Sequence, residues 1–367
     1  MLTEEQRDTL ALYGVTGIGS QMYQRLVARF GSPSEVFRAS TRELMELDGI
    51  GTILAGNIKR HDRESFINDQ VRLMEKVGAS ILIRSSDRYP ASLNAFKSAP
   101  PVLFVRGEAA ALSENAVAFV GTRKPTDYGI KMTRKLVAGA VDTGLCVVSG
   151  MAAGIDATAH REALDCGGHT VAVFGCGVDT IYPSVNRRLS EDIMKSGCLI
   201  SHFPMGTPAG RGMFPARNAV IVGISLGTVV VEAPKKSGAL ITADLTLRAG
   251  RKLFAVPGNA DSDKSVGTND LISRGAQPIV DSGTLADIFG MTGSGTSVGL
   301  RKRVEPQRPR PDGLAGKILA VLDAGSLHID EISQKLDEPV WNVLSTLTEL
   351  DMDNFVIQKP GKVYEVR

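Results

Sequence analysis

The sequence has no apolar run of about 18 to 20 residues, the length that a membrane helix needs. Of its 367 residues, 43% are hydrophobic and 22% are charged, and the mean hydropathy is +0.01, which is typical of a globular chain. The first ten residues, MLTEEQRDTL, are acidic and helix-like rather than a basic segment before an apolar core. We therefore expect a cytoplasmic protein that is not exported and has no membrane span.

Cysteine is also scarce. The four cysteines have no C-x-x-C spacing and stand in apolar or glycine-rich stretches, which argues against a disulfide framework and against a zinc site. We predict reduced core thiols, with no metal and no other cofactor. The four residues are Cys146, Cys166, Cys176 and Cys198.

Signatures of several enzyme classes are missing. The sequence contains no G-x-x-x-x-G-K-[ST] phosphate loop, and Ser149 and Ser237, which lie in glycine-rich turns, lack the G-x-S-x-G pattern of a nucleophile elbow. FGCGVDTIYP begins like a dinucleotide fingerprint, but Thr180 replaces the third glycine and Pro183 interrupts the helix that should follow. Asp156 and His160, four residues apart, can be a catalytic pair or a structural one. We assign no catalytic residue and predict that the protein is not an enzyme.

The net charge of +2 hides an uneven distribution. Basic and acidic side chains number 11 and 11 in residues 1–85, 21 and 18 in 86–292, 5 and 2 in 293–312, and 5 and 9 in 313–367. A nucleic-acid-binding protein needs cations along one groove rather than a basic total. The total charge therefore excludes no class of partner.

The first 80 residues have helical spacing and a weak internal repeat. A G-I-G turn precedes an apolar-periodic helix twice, in GVTGIGSQMYQRL at Gly14 and in LDGIGTILAGNI at Leu47. This pattern is typical of a helical domain of the SAM or helix-hairpin-helix type. Such turns can present backbone N–H groups to phosphate, or they can be tight turns in a small bundle, and both interpretations stay open.

From Ala116 onwards, short apolar runs alternate with helical segments. The runs are AVAFV, LCVVS, HTVAVF, CLIS, TVVVE, KLFAV and PIV, and continuous runs of this kind suit strands buried on both faces of a parallel sheet. The fold class predicted is α/β, a Rossmann-like doubly wound parallel sheet. The crossover helices predicted are 130–141, 157–165, 187–195 and 239–248.

Small residues and cations cluster where these strands end. VGTRKPTDYG, SGMAAGIDATAH, GCGVDTIYP and EAPKKSGALITA each combine small residues with a helix start just beyond. Binding sites of open α/β sheets lie at the carboxyl ends of the strands, and uncovered N–H groups at helix starts suit anions. The sequence therefore predicts an anion-binding edge.

Single-stranded nucleic acid offers phosphates to cations and unstacked bases to aromatic rings. The segment around Phe214 places a ring between two guanidiniums, Arg211 and Arg217. The arginines can also have ordinary surface or interface roles, Phe214 can belong to the core, and the glycines can be simple turn residues. The predicted DNA-binding residues are Gly121, Thr122, Arg123, Lys124, Ser149, Gly150, Arg211, Phe214, Arg217, Asn218, Lys235, Ser237, Gly238 and Thr242.

Seven collinear motifs make a more specific pattern. VGTRKPTDYG, SGMAAGIDATAH, GCGVDTIYPSVN, FPARNAVIVGIS, EAPKKSGALITA, GRKLFAVPGN and GTNDLISRGA together resemble the DNA-processing protein A family, also called DprA or Smf, over residues 80–281. The resemblance implies a Rossmann-like core that binds single-stranded DNA, forms a homodimer, protects incoming DNA and helps to load the RecA recombinase during natural transformation of competent cells.

The resemblance also names positions where this chain departs from the family pattern. The family's glycine-serine-arginine turn has Thr122 in place of serine, which leaves Arg123 as the leading DNA contact. Ala153 stands where relatives are often basic, and Ala219 stands where the F-P-x-R-N-R motif ends in arginine. Two missing cations reduce counterion release at this edge. Either binding is weaker than in relatives, or other parts of the chain compensate.

Two further segments follow the core. Residues 293–312 are rich in Gly, Ser, Pro and Arg and are predicted to be a flexible basic linker. Residues 313–367 read as three helices and a hairpin, the order of a winged helix. The helix predicted to read a groove, EPVWNVLSTLTEL, has no Lys or Arg, which favours a protein contact. Lys359 and Lys362 on the wing keep DNA contact open as the alternative.

We therefore predict a single-strand-binding mediator with four segments. The alternatives are a nucleotide-processing enzyme of the phosphoribohydrolase type, although the P-G-G-x-G-T-x-x-E stretch of such enzymes is absent, and a duplex-binding regulator that uses the winged helix. The predicted segments are 1–80 helical, 81–292 Rossmann-like, 293–312 linker and 313–367 winged helix.

Overall fold

The computed structural model describes most of the chain in two compact units, within Met1–Leu300 and Arg301–Arg367. The predicted linker, except its last two residues, and the predicted site residue Arg211 lie outside the described part. No described helix has the length and apolar character needed to cross a membrane. The described residues are 2–96, 98–112, 115–210, 212–281, 283–289, 311–323, 325–353, 355–359 and 361–366.

The chain begins with a helical region. Both G-I-G turns open a helix as predicted, because Gly17 and Gly49 adopt φ of 98° and 85°, values that glycine tolerates without strain, and Gly19 and Gly51 are the N-caps. The helices are α1 Glu4–Tyr13, α2 Ser20–Phe30, α3 Pro33–Arg38, α4 Thr41–Met45, α5 Thr52–Arg60 and α6 Arg63–Val77.

Nine strands of the described residues form the central sheet. Six of the seven predicted apolar runs are strands with mostly buried side chains, as expected for strands covered on both faces. Of the seventh run, PIV, only Pro278 lies in a strand, and that two-residue strand is exposed. The strands are β1 Ala79–Ile83, β2 Val102–Gly107, β3 Ala116–Val120, β4 Cys146–Ser149, β5 Thr170–Val173, β6 Cys198–Ser201, β7 Gly227–Val230, β8 Lys252–Ala255 and β9 Gln277–Pro278.

Helices connect the strands, and the four predicted crossover helices are present with ends shifted by at most three residues. The helices of this part are α7 Ala91–Asn94, α8 Asp127–Asp142, α9 Ile155–Asp165, α10 Arg187–Ser196, α11 Met213–Ile224, α12 Gly238–Arg248, α13 Val266–Ser273 and α14 Gly283–Ile288.

The strand order is β1-β2-β6-β5-β4-β3-β7-β8-β9. From β3 to β9 and from β3 to β6 neighbouring strands are parallel, which confirms the doubly wound core, whereas β2 is antiparallel to both β1 and β6. The chain moves outward from β3 through β4, β5 and β6 and then returns to β7. The direction switches between β3 and β7, where α/β sheets form binding crevices.

The helical region and the sheet share one hydrophobic cluster. Leu10 and Leu12 of α1 belong to the same buried cluster as Phe104 of β2 and Phe174, which follows β5. Buried Gln70 of α6 adds two bonds to Met205, since its Nε2 donates to the backbone oxygen over 3.3 Å and its Oε1 accepts from the backbone N–H over 2.8 Å. The predicted boundary at residue 80 therefore crosses a continuous core.

The second unit is a winged helix, as predicted. Its strands pair in the order β10-β12-β11, and Ile318, Leu347 and Tyr364 lie in its own buried cluster. Its elements are α15 Leu314–Leu322, β10 Leu327–His328, α16 Ile329–Leu336, α17 Val340–Met352, β11 Val356–Lys359 and β12 Val363–Val366.

Because α1 packs into the sheet's core, we predict that the helical region and the sheet unfold together. Leu12→Ala should lower the free energy of unfolding by about 2–5 kcal/mol, the usual cost of truncating a buried leucine. Denaturant unfolding should show one transition for Leu12→Ala, monitored both by helical signal and by a probe in the sheet. Two separate transitions, with the sheet unaffected, would mean that residues 1–80 fold independently.

Candidate nucleic-acid interface

The loops that follow β3, β4, β5 and β7 are hydrogen-bonded to one another, and together with Phe214 and Arg217 of α11 they are called the rim from here on. Thr122 N–H donates to Glu232 O over 2.8 Å, and the first N–H of α9 donates to Thr122 O over 3.2 Å. The buried Glu232 carboxylate accepts from Thr126 N–H over 2.9 Å and from the Thr126 hydroxyl. The loop that carries Arg123 and Lys124 is therefore held from both sides.

Two rim glycines are required by close packing. A Cβ atom on Gly121 would lie 2.6 Å from the Ile155 side chain, and one on Gly150 would overlap the Arg217 guanidinium. At Gly238, the first residue of α12, a Cβ would meet no heavy atom within 4 Å. Gly121 and Gly150 are therefore small because neighbouring groups approach them, whereas Gly238 leaves its backbone open to solvent.

Arg217 lies inside the protein, with 6% of its surface exposed. Its Nη1 donates to Gly150 O and, over 2.8 Å, to Val173 O, and its Nε donates to Asn218 Oδ1 over 2.9 Å. The guanidinium thus ties the end of β4 to the end of β5. A phosphate contact by Arg217 or Asn218, which the sequence predicts, would require this arrangement to open.

A buried carboxylate compensates the Arg217 charge. Asp156 accepts from the N–H groups of Gly150 and Ala152 over 3.1 and 3.3 Å. Burial raises the pKa of Asp156 and the Arg217 charge opposes that shift, while burial lowers the pKa of Arg217 and Asp156 opposes it. Met151, between the two donors, has a φ of 62°, a left-handed conformation that costs a non-glycine residue free energy and concentrates at functional sites. The loop is therefore wrapped around a charge pair.

Phe214, in the first turn of α11, is the point where the rim's side chains meet. The Cζ atoms of Arg123 and Arg217 lie 5.6 and 5.7 Å from the centroid of its ring, within the range of cation–π attraction. The Tyr182 ring lies 6.2 Å away at an interplanar angle of 33°. Because Phe214 is half-buried and Arg123 is exposed, one cation and part of an aromatic surface face solvent together.

Sequence reasoning missed Tyr182. It stands in GCGVDTIYP, a segment from which the sequence predicts only backbone N–H groups for anions. In the structure 46% of the Tyr182 surface is exposed. The signal available was an aromatic residue just beyond a glycine-rich strand end. The structure places Tyr182 beside Phe214, so that two rings rather than one lie at the rim.

The other predicted site residues divide by exposure. Ser149 donates from its hydroxyl to Phe119 O over 2.6 Å, and the Ser237 hydroxyl caps α12 by accepting from Ala239 N–H over 3.2 Å. The buried ones are Thr122, Ser149, Gly150, Asn218 and Thr242; those partly exposed are Gly121 and Ser237; the exposed ones are Lys124, Lys235 and Gly238. Lys236, next to Lys235, is exposed as well.

The Asp156 and His160 pair is divided between different partners. His160 Nδ1 lies 2.7 Å from the Thr170 hydroxyl, while Asp156 is bonded to the backbone of the rim. His160 and His202 are both buried, and each has one ring nitrogen without a hydrogen-bond partner in the described structure. Among the described residues, no group of three His, Cys, Asp or Glu side chains could hold a metal ion.

Comparison with known families gives two matches. The family model described as DNA recombination-mediator protein A matches residues 80–289, which contain the whole rim. The model described as the DprA winged helix domain matches residues 303–362.

Individual relatives agree with these matches. The Protein Smf of Synechocystis is 32% identical over 400 aligned residues, with 100% of each chain covered. The X-ray structure of DNA processing protein A from Streptococcus pneumoniae superposes with a TM-score of 0.67 at 29% identity, covering 78% of this chain and 98% of that one. A Helicobacter pylori DNA processing protein A, whose structure is described for its single-stranded DNA binding mode, gives a TM-score of 0.52 at 29% identity, covering 57% and 95%.

The geometry predicts opposite roles for two arginines near one ring. Arg217→Met should lower the free energy of unfolding by about 3–5 kcal/mol, because it leaves two carbonyls and the Asp156 carboxylate without their partner. Arg123→Ala is the matched control and should change it by no more than about 0.5 kcal/mol, since Arg123 is exposed. Equal stability of the two variants in denaturant titrations would contradict the structural role of Arg217.

Stability should also depend on the buried histidines. Burial, together with the Arg217 charge, lowers the pKa of His160 to about 3 and that of His202 to about 4, from an ordinary value of 6.5. Between pH 6.5 and about 4 the unfolded chain binds more protons than the folded chain, so the free energy of unfolding should fall as the pH falls. Each histidine contributes a slope of up to about 1.4 kcal/mol per pH unit.

His160→Gln isolates one of these contributions, because glutamine keeps a hydrogen-bonding side chain and does not titrate. Denaturant unfolding of wild type and variant at several pH values in that window should show a shallower slope for the variant. Identical slopes would show that His160 does not stay neutral in the folded protein.

Proposed function

The chain belongs to the DNA recombination-mediator protein A family, and from that premise we propose that its rim binds single-stranded DNA and that the protein passes the bound strand to the RecA recombinase. The observation that carries the proposal is the exposed Arg123 guanidinium beside the half-buried Phe214 ring. A single strand presents a phosphate and an unstacked base face to such a pair. A mononucleotide enzyme would instead need a catalytic group, and Asp156 and His160 are both engaged in the fold.

We assign three kinds of task to the rim. Arg123 and Lys124 neutralise phosphates, and Phe214 together with Tyr182 supplies a surface on which bases stack. Lys235 and Lys236 stand exposed just before α12, whose positive dipole end and open Gly238 backbone favour a further phosphate. Arg217 acts as a positioning residue, because it holds Phe214 and the ends of β4 and β5 in place.

The winged helix has the features of a protein-binding module. Residues 313–367 carry 5 basic and 9 acidic side chains, which disfavours contact with phosphates. Val340, Trp341 and Leu344 of α17 expose 40%, 73% and 41% of their surfaces, and clustered exposed apolar side chains mark protein contacts. We assign this unit to protein contacts, with the recombinase as the partner. We propose that the whole protein is a cytoplasmic homodimer that protects incoming DNA during natural transformation.

The central prediction concerns Arg123. Arg123→Ala should weaken binding to an oligothymidine and reduce the slope of log K against log salt by about 0.7, the contribution of one phosphate on a single strand. Fluorescence anisotropy across a salt series measures both quantities. Arg248→Ala is the matched control, because Arg248 is an exposed arginine at the far end of α12 and should leave the slope unchanged.

Phe214→Leu completes this series without altering charge. Loss of one stacked base should cost about 1–3 kcal/mol of binding free energy with no change in salt slope.

If Arg123→Ala and Arg248→Ala behave alike, Arg123 is not at the DNA site. Release of free base from nucleoside monophosphates would instead favour the nucleotide-processing alternative.

Removal of residues 313–367 should separate DNA binding from recombinase loading. Because the acidic winged helix carries no role in phosphate binding, the shortened chain should bind oligothymidine with nearly unchanged affinity. Its stimulation of RecA-dependent strand exchange should be lost. A large loss of oligothymidine affinity would assign the winged helix to DNA.

A further inference from the structure

A cavity of about 440 Å³ lies on the face of α11 that is turned away from the Phe214 ring. Its walls come from the start of α2 (residues 19–22), Arg25, the 98–100 loop, His202 and the small side chains of Ala216 and Ala219. The bond from Gln24 Nε2 to Ala99 O, 3.0 Å long, joins α2 to that loop. The volume of the cavity is within the range of small-ligand sites, about 300–1,000 Å³.

The cavity is next to the rim. Phe214 and Arg217 are on one side of the first two turns of α11, and Ala216, Ala219 and Val220 of the same turns line the cavity. Residues 214 and 220 are about 9 Å apart along a helix axis. A strand that stacks on Phe214 must also pass around α11, which is about 10–12 Å across with its side chains, to reach the cavity.

The start of α2 and Arg25 make one wall electropositive. Gly19 is the N-cap and has no side chain, so no side-chain bond covers the first N–H groups of this eleven-residue helix. Arg25 lies a turn and a half further on, with 43% of its side chain exposed and only a 3.7 Å ion pair to the fully exposed Asp48. Both features favour an anion at the mouth of the cavity.

His202 is the independent sign of a ligand. Only 5% of it is exposed, it lines the cavity, and its Nδ1 has no hydrogen-bond partner in the described structure. A buried polar atom without a partner costs free energy comparable to a lost hydrogen bond. Nδ1 itself is inaccessible in this ring orientation, so a ligand in the cavity can bond to it once the ring rotates about its Cβ–Cγ bond. The ring stays neutral above pH 4 or so, so that it has one donor and one acceptor nitrogen for a base edge.

We infer that this cavity receives one nucleotide of the single strand that crosses the rim, with its phosphate at the start of α2 and Arg25 and its base against His202 and Pro100. The inference rests on the proposed function and extends it, because it makes the helical region part of the DNA site. Arg25 would then supply a cation on the side of α11 where Ala219 provides none.

Paired variants of α2 test this inference. Arg25→Ala should reduce the salt slope for an oligothymidine of about 20 nucleotides by about 0.7. Arg29→Ala is the matched control, because Arg29 lies one turn further along α2, is exposed and makes a similar 3.6 Å surface ion pair. Ala219→Leu, which narrows the cavity without changing charge, should weaken binding at least about fivefold, the lower limit for one stacked base.

Photo-crosslinking of wild-type protein gives a second readout that does not depend on the folding of a variant. An oligonucleotide with bromodeoxyuridine in place of thymidine should crosslink to peptides that contain residues 19–25 or His202, in addition to rim peptides. Crosslinks confined to peptides of the rim would overturn the inference. So would thymidine monophosphate binding in the cavity while Arg25→Ala and Ala219→Leu leave strand binding unchanged.

The proposed DNA binding at the rim and the inferred nucleotide site in the cavity can be refuted separately. If wild-type protein does not bind oligothymidine, the proposed function fails. If it binds, and Arg123→Ala weakens binding while Arg25→Ala and Ala219→Leu match Arg29→Ala, the rim is the site and the cavity is not part of it.

Discussion

The buried guanidinium of Arg217 is the constraint on which the rim depends. Removing a charge from water is expensive unless partners compensate it, and here the carbonyl oxygens of Gly150 and Val173 accept hydrogen bonds from the guanidinium while Asp156 supplies the opposite charge nearby. The two carbonyls belong to the ends of the adjacent strands β4 and β5, so that these hydrogen bonds fix the spacing of the two strand ends. The same guanidinium lies beside the Phe214 ring and sets its position.

This constraint separates the residues that build the site from those that can touch a ligand. Gly121, Gly150 and Arg217 are committed to packing, whereas Arg123, Lys124 and the lysines before α12 remain at the surface. A hydrogen-bonded base with exposed cations at its edge suits a polymer that is bound through its backbone rather than through its sequence. The continuous core between the helical region and the sheet extends this rigid base to the start of α2.

The sequence predicted the architecture well because buried parallel strands consist of unbroken apolar runs, and because each G-I-G turn indicated the start of a helix. It did not predict β1 and β2, which add an antiparallel edge to the sheet, because their runs precede the alternating pattern. Nor did it show that Arg217 points inward, since the direction of a side chain on α11 depends on which carbonyls are within reach. Tyr182 joined the site only through tertiary packing, which strand-end patterns do not report.

The proposed interface binds an unpaired strand with one exposed cation and one aromatic face at the rim. A crystal structure of the full chain with a bound oligothymidine decides whether it does. We expect a base stacked on Phe214 and a phosphate within hydrogen-bonding distance of Arg123, with the bonds of Arg217 to Gly150 and Val173 intact. A strand bound elsewhere, with Phe214 uncovered, would contradict it.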